Sequence, residues 1–93
     1  MIREAIQLFN LVTNDDLVEE FGWINDNEFC VWIYHRDIQE FMERIVELFG
    51  NSICDEGGIV VHMFKDMFCI NLCDLLYSYL DIEEIFSKEE YQH

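Results

Sequence analysis

The chain has 93 residues, 20 of them Asp or Glu and only five Lys or Arg, so its formal net charge is −15 although 52% of it is hydrophobic. That apolar share can build the core of one modest domain, which argues against a disordered acidic tail and leaves little room for a separate catalytic lobe. The charge argues against direct binding to nucleic acid or to an anionic membrane, and favours a basic partner.

Ile2, Ala5, Ile6, Phe9 and Val12 recur at helical spacing, which predicts an amphipathic helix ending near Thr13-Asn14. A shorter second helix is expected next, capped by Asn14 or Asp15, with Asp15 and Asp16 in its first turn. Leu17, Val18 and Phe21 would face inward, Glu19 and Glu20 outward, and Gly22 would stop it. Phe29 to Tyr34 is a short run of β-branched and aromatic types that predicts a central strand. Trp23-Ile24 would pair with it as a hairpin arm across Asn25-Asp26-Asn27, residues that tolerate the positive φ of tight turns.

Asp37 to Phe49 carries the clearest helical stripe, formed by Ile38, Phe41, Met42, Ile45, Val46 and Phe49. Asp37 and Glu40 have capping-box spacing, and Gly50 ends the helix. Its other face holds Glu40, Glu43 and Glu47, a like-charge ridge relieved in part by Arg44. Three short strands are expected after it, at Ser52 to Cys54, Ile59 to Phe64 and Met67 to Leu72, arranged as a meander. Both faces of the second are largely apolar, so helical cover is expected on each. A helix opening at Asn71 or Cys73 would bear Leu75, Leu76, Tyr79 and Leu80. Asp81 with Glu84 would cap a last turn containing Ile82, Ile85 and Phe86, and Ser87 to His93 would fray. The expected class is therefore α+β: a single domain over residues 1–86, a short and mostly antiparallel sheet covered by amphipathic helices, and a flexible tail at 87–93.

Cys30, Cys54, Cys69 and Cys73 all lie in apolar surroundings and are expected to be buried free thiols. A zinc site would need three of them with His62, but Phe68, Ile70 and Leu72 around Cys69 and Cys73 belong to a strand pattern rather than to metal-binding knuckles. A nucleophilic cysteine would need His35 or His62 as its base, in an acidic field that opposes the thiolate. Neither Asn25-Asp26-Asn27-Glu28 nor Asp55-Glu56-Gly57-Gly58 has calcium-loop spacing, and Gly57-Gly58 lacks the lysine of a phosphate loop. No enzymatic activity, metal or cofactor is expected.

What remains is the acid. Asp15, Asp16, Glu19 and Glu20 on the second helix, with Glu40, Glu43 and Glu47 on the long one, are the expected partner contacts; Trp23 and Tyr91 are candidate aromatic anchors, although the hairpin claims Trp23 and the tail Tyr91 more strongly. Carboxylates up to one helical turn apart can imitate the phosphates of a nucleic-acid backbone. A magnitude of 15 exceeds the charge of about 2 to 8 that keeps a small domain soluble.

Small size, high acidity, α+β order and the lack of catalytic residues resemble small acidic phage-encoded inhibitors of host defence, while the helix from Phe41 to Gly50, the turn Gly57-Gly58-Ile59 and the ending from Asn71-Leu72-Cys73-Asp74-Leu75 to Ile85-Phe86 look like those of small phage proteins in general. The resemblance is to the class of anti-CRISPR and DNA-mimic anti-restriction proteins, with no functional residue carried over. It implies stoichiometric inhibition: the acidic face would occupy a Lys/Arg-rich channel of a CRISPR effector and exclude DNA. The expected location is the cytoplasm, that of the host cell for a phage-encoded protein, since no apolar run of eighteen residues or signal-peptide pattern is present. The alternative is an immunity protein that neutralises a basic nuclease toxin.

Overall fold

Helical periodicity at the start of the chain produces α1, Ile2–Val12, in a computed structural model that describes residues 2–50, 60–63, 65–72 and 82–92. Leu8, Leu11 and Val12 are its buried positions, three and four apart. Ile6 was expected on this stripe but is 56% exposed, because it lies about 200° round the helix from Leu8.

The expected second helix is a single turn. Leu17 N and Val18 N both donate to the Asn14 carbonyl, at 3.1 and 2.9 Å, and Asp16 N donates to Asn14 Oδ1 at 2.9 Å. The chain then extends into β1, Glu20–Asn25, so Gly22 lies inside a strand opposite Cys30 instead of stopping a helix. Phe21 and Trp23 explain the outcome: two apart, they point to one face of a strand, where both meet the Phe29 ring.

β2, Glu28–Tyr34, pairs antiparallel with β1 and is central, as its composition predicts. The connecting turn uses no positive φ at a non-glycine residue. Instead Asn25 Oδ1 accepts from Asn27 N at 2.8 Å, and the register slips between Trp23 and Asn25.

α2, Ile38–Phe49, buries Phe41 and Ile45. The expected capping box does not form, since Asp37 already has helical angles (φ −104°, ψ −7°) and its carboxylate lies 3.3 Å from Arg36 Nε. Gly50 closes the helix as expected: at φ 90°, which side-chain-bearing residues rarely adopt, it donates to the Val46 carbonyl at 2.7 Å.

β3, Val60–Met63, and β4, Met67–Asn71, form an antiparallel hairpin, and β4 also pairs with β2, which gives the sheet order β1-β2-β4-β3. Insertion of β4 beside β2 leaves β3 at the margin. Val61 is 45% exposed, Met63 73%, and His62 is exposed too, so the expected cover on both faces fails at these residues. The strand expected at Ser52 to Cys54 and the helix expected from Asn71 or Cys73 through Leu80 fall wholly or largely outside the described residues, as does Asp81.

α3, Ile82–Ile85, supplies Ile82 to the core, and Phe86 follows it inward. The Phe86 ring stacks on Phe29 at 4.6 Å and on Phe9 at 5.5 Å, and its carbonyl accepts from Trp23 Nε1 at 2.8 Å. Residues 87–92 pack against β1, where a loose tail was expected. The Tyr91 carbonyl accepts from Trp23 N at 2.8 Å, Gln92 forms a parallel bridge with Trp23, and the Tyr91 ring sits 5.6 Å from Phe21. This segment gives the β1 edge backbone partners. Among the described residues the molecule is a compact α+β domain with three helices and a four-stranded antiparallel sheet, as its order of elements predicts. No polar or charged residue is buried there.

Candidate functional site

An apolar interior forces the carboxylates outward, and α2 displays a regular row of them. Glu40, Glu43 and Glu47 are all exposed, on successive turns of one helix. Gln39 Nε2 donates to Glu43 Oε1 at 3.2 Å, and Arg44 Nη2 lies 3.6 Å from Glu40 Oε1 with both side chains about half exposed. Such an exposed pair contributes only about 0.3–0.5 kcal/mol, so Arg44 offsets little of the ridge's field.

Gln7, Asn10, Leu11 and Asn14 from α1 and its following turn, with Arg44, Glu47 and Leu48 from α2, line a shallow groove of about 330 Å³. Asn14, which lines this groove with Glu47, is followed in the chain by the exposed Asp15-Asp16 turn. Five of the seven expected contacts thus lie along α2 and in the turn after α1. Glu19 and Glu20 do not extend that array as helix residues: Glu19 N donates to the Trp32 carbonyl at 2.9 Å, and Glu20 pairs with Trp32 in the sheet. Trp23 is 1% exposed and belongs to the β1–β2 hairpin and the core, as the stronger of its two readings has it, while Tyr91 is half-buried against Phe21 and Phe86.

Cys30 and Cys69 are buried free thiols, as expected; Cys54 and Cys73 fall outside the described residues. Burial pushes the Cys69 thiol above its ordinary value and the charge of Glu28 adds to that, while a hydrogen bond with Cys30 acts the other way. A thiol held protonated is a poor nucleophile, even though His62 is its register partner across β3 and β4. His35 packs on Phe68 at 4.5 Å between ring centres. Among the described residues no group of three His, Cys, Asp or Glu side chains could hold a metal ion, and no helix is long and apolar enough to cross a membrane.

The expected contacts omit Trp32 and Tyr34. Both are half-buried on β2 and lie apart from the core cluster, facing away from Phe29, Val31 and Ile33. Their signal was alternation within Phe29 to Tyr34, masked because both faces of that strand are apolar.

Fold and surface together define a small acidic α+β domain. No family model, curated protein or solved structure matches the chain.

Proposed function

We propose that this protein is a non-enzymatic, acidic binding protein that inhibits a basic, nucleic-acid-binding partner by competition, in the manner of an anti-CRISPR protein that denies DNA access to a CRISPR effector. The observation that carries the reading is a net charge of −15 on a 93-residue chain whose described core holds no charge, with Glu40, Glu43 and Glu47 exposed in a row on α2. Carboxylates fixed on a folded surface compete for a Lys/Arg-rich channel without losing the conformational entropy that a flexible acidic tail would lose on binding. Complementary charge also speeds encounter with such a channel.

Immobilised protein offered purified CRISPR effectors tests this. Retention at about 50 mM salt should fall steeply by about 200 mM, because an electrostatic complex weakens as the screening length shortens. Failure to retain any effector in dilute buffer contradicts the reading.

A further inference from the structure

Rows of the core run out into solvent at the β3 margin. Register sets Val31, Ile70 and Val61 side by side across the sheet, and Ile33, Phe68 and Met63 in the neighbouring row, so all six share the face that packs the core. Burial fails along each row: Val31, Ile70 and Ile33 are fully buried and Phe68 half-buried, but Val61 is 45% exposed and Met63 73%. Formal charges cancel at this end of the sheet. Lys65 and Asp66, both exposed, lead into β4, whose Met67 pairs with Tyr34, and Tyr34 leads in turn to Arg36 and Asp37, paired at 3.3 Å. The His35 ring packs on Phe68 at 4.5 Å, and the Arg36 guanidinium lies 4.9 Å from the centre of the Tyr34 ring. From Val60 to Leu72 the sequence holds a single carboxylate, Asp66, of the chain's 20.

We propose that this apolar margin, centred on Met63 with Val61 beside it, is an isologous contact for a second copy of the chain. An exposed methionine and valine that continue the core rows have an apolar surface as their complement, and a twofold axis sets each copy's pair against the other's. Charge selects the occupant. A basic partner finds no net negative charge here to draw it, whereas a second copy meets a region whose formal charges sum to zero. Arg36 with Asp37, and Lys65 with Asp66, give each copy cations and anions at the rim, which a twofold contact can pair between copies. Repulsion between two chains at −15 opposes the contact, but it is screened beyond about 8 Å at physiological ionic strength, so salt should strengthen association. That sign is opposite to the one expected for the complex with a basic partner, and the inference does not rest on that complex.

Sedimentation equilibrium of the purified chain, from about 10 to about 500 μM protein and at about 0.05 and about 0.5 M salt, tests the contact. The average mass should climb from that of one chain towards that of two, and should do so at lower protein concentration in the higher salt. Met63→Asp should weaken association by about tenfold or more, since it places two further carboxylates in the contact, and Lys65→Glu by roughly three- to tenfold. Glu40→Gln, Glu43→Gln and Glu47→Gln together should leave the dimer in place or tighten it. Met63 and Lys65 are exposed, so an unchanged urea midpoint reports that their variants are folded; were Met63→Asp unfolded, Lys65→Glu and the salt dependence still decide. The mass of one chain throughout, association that weakens as salt rises, or a dimer that persists unchanged in folded Met63→Asp overturns the proposal. A second apolar protein as the true occupant gives the first of these results. Retention of an effector is a separate readout, so either reading can fail without the other.

Discussion

Glu40→Lys, Glu43→Lys and Glu47→Lys combined are expected to slow association with the basic partner at least tenfold at low salt, and so to abolish its retention on a washed column. Each reversal moves the charge by two units, so the triple variant carries about −9 in place of −15, with the change concentrated on one helix face. The three side chains are exposed and make no core contact, so the helical circular dichroism should persist. Surface plasmon resonance at two salt concentrations checks the result. If retention were unchanged, α2 would be excluded and the Asp15-Asp16 turn would become the next stretch to reverse.

Trp23→Ala is expected to cost about 3–5 kcal/mol, near the lower end of what a domain of this size has to lose. Trp23 is 1% exposed, meets Phe29 edge-on at 5.4 Å, and donates from Nε1 to the Phe86 carbonyl at 2.8 Å. It thereby joins β1, β2 and the segment after α3. Trp23→Phe keeps much of the apolar volume but leaves that buried carbonyl without its donor, so a smaller loss of about 1–3 kcal/mol is expected. Urea unfolding measures both: for the alanine variant the midpoint should fall by roughly 1.5 M or more, given a slope of about 1–2 kcal/mol/M. A midpoint unchanged in Trp23→Ala would remove this residue from the core.

Long periodic segments were the legible part of the fold. The α1 and α2 spans follow from apolar residues three and four apart, and β2 from a run of β-branched and aromatic types. Residues 14–22 misled because Asn14, Asp15 and Gly22 imitate a helix cap and stop, while the alternation of Phe21 and Trp23, which decides the structure, extends over only a few positions. Placement of β4 between β2 and β3 depends on pairing between distant segments, and local patterns carry no record of it. Residues 87–92 looked polar enough to fray, yet the Tyr91 ring and one backbone bond from Trp23 hold them to β1.

The candidate site was legible in amount but not in arrangement. Composition announces that the carboxylates must be exposed, because none can be buried unpaired at tolerable cost. It does not announce that Glu20 belongs to a sheet face with Trp32, whereas Glu40, Glu43 and Glu47 project from a helix. That division follows from the strand identity of residues 20–25.

The most direct measurement on the central claim is a displacement titration, in which labelled duplex DNA bound to a CRISPR effector is challenged with this protein. The account predicts complete release of the duplex at a one-to-one ratio, with more protein required as salt rises. DNA and protein held together on the same effector, or duplex retained at any excess of protein, would contradict it.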